Sequence, residues 1–173
     1  MNIKNLAVII LLSISVFAVN AQTEIKWMTM KEAQEACKKN PKKIFVDIYT
    51  DWCGWCKKMD ATTFKDPKIV AYMNKNYYAV KFNAEQREPI VYNGKEYKFV
   101  DNGSRGYHEL AYMLMSGRMS YPTTAYIDEK LNLLTPVPGF QEVSTLDMIL
   151  KYFGDGEYLK MNWEEYQKKY TGN

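Results

Sequence analysis

Histidine is nearly absent from this chain, with one in 173 residues, and cysteine is scarce, with three. A structural zinc site takes four such ligands. Cys37, Cys53, Cys56 and His108 are all the chain has, and their spacing fits no zinc pattern, so no metal is expected. An odd number of cysteines also excludes a small domain stapled by disulfides; one pair and one spare is the arithmetic of a redox protein. Long blocks of like charge are missing too. Acidic and basic residues are interspersed and the formal net charge is only +3. Neither nucleic acid nor an anionic membrane is therefore expected as a partner. No repeats, low-complexity tracts or linkers divide the sequence, which fits one domain with a single sizeable core.

The apolar run near the start falls short of a membrane span. Leu6 to Val19 is fourteen residues, broken only by Ser13 and Ser15, where a span needs about 20. Lys4 precedes it, and Val19-Asn20-Ala21 offers small residues for cleavage after Ala21. A signal peptide over 1–21 and a mature domain over 22–173 are expected. No cysteine lies near the cleavage point to take a lipid, so no stable membrane association is expected once the signal is removed. Export permits disulfides to persist. The residues Tyr170-Thr171-Gly172-Asn173 form no eukaryotic retention signal, which favours a bacterial periplasm.

What is present concentrates in Trp52-Cys53-Gly54-Trp55-Cys56-Lys57. The run Lys43 to Tyr49 before it reads as a buried β-strand, and Cys56 to Ala61 as a helix. A strand-to-helix junction there sets the Cys53 sulfur over unpaired helix N–H groups, which favour a thiolate. The thiolate is the species that attacks disulfides. Cys56, one helical turn on, can close back onto Cys53. The pair reads as a dithiol/disulfide redox centre.

The rest of the chain alternates strands and helices, which predicts a layered α/β domain. Thr29 and Glu32 fit a capping box for a helix to about Lys39, ended by Asn40-Pro41. Asp66-Pro67 starts another helix, with Ile69, Val70 and Met73 on one face. Tyr77 to Asn83, Thr123 to Asp128 and Leu133 to Pro136 read as strands. Ile90 to Phe99 reads as a hairpin around Asn93-Gly94. Helices are expected over Tyr107 to Ser116, over Thr145 to Phe153 with Ser144 as its cap, and over Trp163 to Tyr170.

Three landmarks in order carry a resemblance. Val46 to Lys57 matches a strand, active-site turn and helix start; Tyr121-Pro122-Thr123 looks like a cis-proline turn; Gly139 follows Pro136-Val137-Pro138. Together they resemble the thioredoxin superfamily over roughly 43–153, with 85–106 as an insertion. The resemblance implies a thioredoxin-like fold: a central mixed β-sheet flanked by helices, here with an inserted hairpin and an extra C-terminal helix. It implies Cys53 as exposed nucleophile and Cys56 as buried resolving thiol. Asp47, six residues before Cys53, matches the family's buried acid, whose use would be to exchange a proton with Cys56. An acid turned to solvent at the strand edge is the plainer alternative. Tyr121, Pro122 and Thr123 would present backbone to a substrate strand, and Trp52, Gly54 and Trp55 would form the surface around Cys53. Ordinary packing is the competing account of Trp52.

The implied activity is exported thiol:disulfide exchange with cysteine-containing proteins. It needs no cofactor beyond the Cys53–Cys56 disulfide, and a membrane or extracytoplasmic redox partner would recharge a monomer. The dipeptide between the cysteines is Gly54-Trp55, without the usual proline and without the histidine of strongly oxidising relatives. That absence favours the reductase direction. Two other classes stay open: a peptide-binding module without turnover, and a copper(I) delivery protein using Cys53 and Cys56 as soft ligands. Cys37 is expected as a buried small hydrophobe, Lys57 as solvated, and His108 as exposed or holding a simple hydrogen bond. The 85–106 insertion reads either as a surface hairpin or as a wall beside the active site.

Overall fold

Alternation of side chains along one strand organises the domain. The computed structural model describes residues 24–171, so the expected signal segment lies outside the described residues. The five-stranded sheet contains β1 (Trp27–Met28), β2 (Lys43–Tyr49), β3 (Tyr77–Asn83), β8 (Thr123–Ile127) and β9 (Leu133–Pro138), in the order β1-β3-β2-β8-β9. The pairings β1–β3 and β3–β2 are parallel, and β2–β8 and β8–β9 antiparallel. This is the mixed central sheet of the thioredoxin fold.

Period two sends alternate residues of β2 to opposite faces. Ile44, Val46 and Ile48 join Val80, Phe82, Ala125 and Ile127 in one apolar layer, covered by α1 (Met30–Lys39) and α4 (Glu109–Leu114). Phe45 joins Tyr77, Ala79 and Tyr126 in the other, covered by α2 (Gly54–Ala61), α3 (Pro67–Asn76) and α5 (Val143–Gly154). The Phe45 ring meets Phe64, Tyr77 and Tyr126 edge-on at 6.0, 6.4 and 5.5 Å. By the same alternation Asp47 falls on the Phe45 face, beneath α2.

The helix starts obey local chemistry. Thr29 closes the capping box of α1: its Oγ accepts from the Glu32 N–H at 3.2 Å, and the Glu32 carboxylate accepts from the Thr29 N–H at 2.8 Å. Thr29→Ala should therefore cost about 1 kcal/mol in urea unfolding; an unchanged midpoint would mean the box is idle. Asp66 accepts from the Lys68 and Ile69 N–H groups with Pro67 opening α3. At the far end, buried Asp147 of α5 accepts from Lys151 at 2.9 Å and from the Tyr170 hydroxyl of α6 (Trp163–Thr171), and pairs with Lys68 of α3 at 2.6 Å. That cluster ties the extra C-terminal helix to the domain.

The insertion folds as β4 (Ile90–Tyr92) and β5 (Lys95–Tyr97), joined by Asn93-Gly94 with φ of +48° and +80°. Two consecutive positive angles are what a two-residue hairpin turn demands, and glycine meets the second without strain.

Two expectations need correction, and one strand was not foreseen. The helix expected over Tyr107–Ser116 is shorter: Tyr107 and His108 form β7 (Tyr107–His108), paired with β6 (Phe99–Val100), and only Glu109–Leu114 is helical. Ladder bonds to the insertion claim the residues that apolar periodicity had assigned to a helix. Ser144 is not a cap, since α5 begins at Val143 behind Glu142. The preceding Gln141 is buried and its carbonyl accepts from the Thr63 hydroxyl at 2.7 Å, so the chain is already anchored and turns into helix at once. Strand β1 was not foreseen, because two residues carry no period.

Candidate active site

Strand β2 ends at Tyr49, and the turn Thr50-Asp51-Trp52 is closed by the Cys53 N–H donating to the Thr50 carbonyl at 3.1 Å. Cys53 is the N-cap of α2, and its sulfur accepts from the Cys56 N–H at 3.1 Å. Cys53 and Cys56 are joined by a disulfide. The sulfur thus occupies the place where a helix offers donors with no backbone partner and the positive end of its dipole. On reduction the same donors stabilise a thiolate.

Cys53 was expected to be exposed, yet it is 5 % accessible in this disulfide state and Cys56 2 %. The sulfur is tucked onto the helix end, and its neighbours Trp52, Gly54 and Trp55 take the surface instead. Trp52, half exposed, meets Tyr121 edge-on at 5.7 Å, and its indole N–H donates to Glu85 at 2.8 Å. The Arg105 guanidinium lies 4.4 Å from the centre of the same ring. Trp55 rests against Phe140 at 5.4 Å, with the Lys58 ammonium 4.8 Å from its ring centre. Lys57 is exposed. Glu85 and Arg105 both belong to the 85–106 segment, so the insertion stands as a wall beside Trp52.

The Tyr121–Pro122 peptide is cis. Pro122 is buried, its carbonyl accepting from the Gly139 N–H at 2.8 Å, and the Thr123 hydroxyl donates to the Ser120 carbonyl at 2.8 Å. Through the Tyr121–Trp52 contact this turn and the cysteine turn form one surface. Burial, and secondarily the Glu85 charge, push the Tyr121 phenol up to about 12, so it stays neutral at ordinary pH.

Asp47 is 1 % exposed, so the account that turned it to solvent does not hold. Its Oδ2 lies 2.5 Å from Lys81 Nζ, and its Oδ1 is buried without a hydrogen-bond partner. Lys81 sits opposite Asp47 in the β2–β3 register and also pairs with Asp60 of α2. Its ammonium lies 5.2, 4.9 and 5.2 Å from the ring centres of Trp27, Tyr49 and Phe64. Burial lifts the Asp47 carboxyl from an ordinary 3.8 to about 6, against the pull of Lys81 and with help from the Asp60 charge. Burial draws Lys81 down, but its two carboxylates outweigh that and hold it above the usual lysine range.

Sequence reasoning missed Lys81 and Asp60. One signal existed: Asp60 follows Cys56 at helical spacing of four, which puts both on one side of α2. Of the two fates expected for His108, exposure does not hold and hydrogen bonding does: it is buried. Its Nδ1 accepts from the Leu110 N–H at 3.1 Å to cap α4, and its Nε2 lies 3.1 Å from the Glu88 carbonyl. Burial lowers its pKa. Cys37 is buried and free, its sulfur facing the carbonyls of Lys42 at 3.2 Å and Glu129 at 3.4 Å near the opposite end of β2 from the disulfide.

A family model named Thioredox_DsbH and described as "Protein of unknown function, DUF255" matches residues 12–165. The chain belongs to the DUF255 family. Among solved structures, this DUF255 protein is similar to a thioredoxin-fold protein from Helicobacter pylori, at 18 % identity and TM-score 0.57 over 77 % of this chain and 82 % of that one. It is similar to a DsbH oxidoreductase at 20 % identity and TM-score 0.51, covering 76 % and 88 %. A thioredoxin from Thermus thermophilus matches at 14 % and 0.57, covering 75 % and 87 %. These likenesses establish the thioredoxin fold. By sequence, 72 residues match spermatogenesis-associated protein 20 of Rattus norvegicus at 28 % identity, 41 % of this chain and 9 % of that protein. An uncharacterized protein of Caenorhabditis elegans matches at 29 % over 72 residues, 41 % of this chain and 10 % of its own length. The chain thus spans about a tenth of these curated relatives.

Proposed function

We propose that this DUF255 protein is an exported thiol:disulfide oxidoreductase that exchanges disulfides with cysteine-containing proteins, working in the reductase direction in a bacterial periplasm. The observation that carries the reading is Cys53 as N-cap of α2, its sulfur already accepting the Cys56 N–H and bonded to Cys56.

In the reduced enzyme the Cys53 thiolate attacks one sulfur of a substrate disulfide. That forms a Cys53–substrate bond and releases the other sulfur as thiolate. Cys56 then gives its proton to the Asp47 carboxylate and attacks Cys53. The Cys53–substrate bond breaks, the substrate leaves as a second thiolate, and two electrons have passed to it as the Cys53–Cys56 bond forms. A carboxyl held near pH 6 suits this task, because it can accept and return a proton close to neutral pH. Trp52, Gly54 and Trp55 on one side, and Tyr121, Pro122 and Thr123 on the other, would receive the substrate chain around the pair. The pair is its own electron carrier, so no cofactor is required, and a membrane or extracytoplasmic partner would re-reduce a monomeric enzyme.

The decisive test is the equilibrium reduction potential of Cys53–Cys56 in thiol buffers, read by tryptophan fluorescence from Trp52 and Trp55. A value around −270 mV supports the reductase direction; one around −120 mV reverses it to disulfide donor. No reversible transition at all would leave a peptide-binding module as the better account.

A further inference from the structure

The buried acid shares its counter-ion. Lys81 reaches Asp47 at 2.5 Å on one side and Asp60 on the other. Asp47 is sealed, whereas the Asp60 side chain is 42 % exposed. A cleft of about 250 Å3 lies on that exposed side, lined by Asp60 and Lys81 with Trp27, Phe64, Glu24 and Lys65. Glu24 and Lys65 pair at 2.7 Å along its edge and are themselves largely exposed, as is the Asp60 side chain in part. The three aromatic rings around the ammonium leave it two polar directions, one toward each carboxylate.

The groups that can act electrostatically on Asp47 are few. Lys81 faces it from β3, Asp60 comes from α2, and Tyr49 lies on its own strand. The antiparallel neighbour β8 contributes only Thr124 opposite. Cys56 of α2 does not titrate while it is disulfide-bonded.

Resting on the dithiol chemistry proposed above, we propose that Asp60 is a positioning residue: it divides the Lys81 ammonium between itself and Asp47, and through that shared cation connects the buried acid to solvent. Neither sequence resemblance nor the disulfide calls for a carboxylate at this position; the ion triad does. After resolution Asp47 holds the proton taken from Cys56. Lys81 passes one of its protons to the Asp60 carboxylate and takes the Asp47 proton in exchange. Asp60 then releases a proton to water in the cleft. One proton has moved from Asp47 to solvent, Lys81 is again an ammonium, and both carboxylates are ionised.

The sign of the test follows from the charges. Neutralising Asp60 removes a negative charge near Asp47 and frees Lys81 to pair with Asp47 alone. Both changes favour the Asp47 carboxylate. In the oxidised full chain, carboxyl 13C titration of Asp47 should therefore move to lower pH in Asp60→Asn, by about one unit. Asp60→Glu, which keeps the charge, should restore the wild-type midpoint, and Lys81→Met should move it upward. In single-turnover resolution of a mixed disulfide with a small aromatic disulfide, the acidic limb of the Asp60→Asn pH profile should shift with the NMR midpoint. An Asp47 midpoint unmoved by Asp60→Asn overturns the proposal, whatever the rates do. A moved midpoint with a rate profile identical in wild type and Asp47→Asn supports the hold of Asp60 on Asp47, and instead removes Asp47 from the thiol chemistry.

Discussion

The Cys56→Ser variant should stop turnover and accumulate as a covalent adduct of Cys53 with its substrate. Cys53 keeps its place at the N-terminus of α2, so the first exchange still proceeds. Without the Cys56 sulfur nothing attacks back, and the mixed disulfide persists until an external thiol arrives. Turnover should fall by roughly three orders of magnitude or more, the scale on which loss of an essential nucleophile acts. Cys53→Ser should abolish turnover equally but trap nothing. The two variants together give the check: non-reducing electrophoresis and intact mass after exposure to a disulfide-bearing protein. A trap in Cys53→Ser and none in Cys56→Ser would reverse the roles assigned to the pair.

Asp47→Asn should make the oxidised protein more stable at neutral pH, and by an amount that depends on pH. The folded carboxyl titrates near 6 where an ordinary one titrates near 3.8, so the folded state binds this proton more tightly than the unfolded state. Below about pH 4 the group is neutral in both states and carries no penalty. As pH rises from about 4 to about 6, the unfolded chain ionises freely while the fold resists, and stability falls. At about 1.4 kcal/mol per unit, the loss reaches about 3 kcal/mol and then levels off. Asparagine does not titrate, and Lys81 keeps Asp60. Urea unfolding at pH 4, 5, 6 and 7.5 should thus show the variant gaining on wild type across that window and holding a constant lead above it. Parallel pH curves would mean that Asp47 is ionised without penalty.

The part of this site that was legible in the sequence is the part encoded within one short stretch. A strand, a turn and a helix run consecutively through Lys43–Ala61, so their arrangement could be read from order alone. The Asn93-Gly94 turn and the Thr29 capping box are equally local. What was hidden depends on register between strands. Lys81 reads as one polar residue in an apolar strand, and only the pairing of β2 with β3 sets it against Asp47. For His108 the hydrogen bond expected as one alternative holds, but its burial was not legible, because one of its two partners is the Glu88 carbonyl, twenty residues back. The Asn93-Gly94 hairpin was visible, but the side on which residues 85–106 stand rests on Glu85 and Arg105 meeting Trp52, contacts that no periodicity reports.

The way that insertion joins the sheet has an evolutionary consequence. The excursion leaves just after Ala84, whose N–H is held by the Tyr49 carbonyl at 2.8 Å, and it returns where the His108 N–H meets the Ala84 carbonyl at 2.7 Å. Departure and return are stitched to the same residue. Exposed positions between those two bonds can therefore change without moving β2, β3 or the cysteine turn, whereas Tyr92 of β4 is buried in the apolar layer with Val80 and Phe82 and donates to the Leu131 carbonyl at 2.8 Å. The wall against Trp52 rests on the Glu85 and Arg105 side chains, and divergence among relatives would be found there before it is found in the sheet and the cysteine turn.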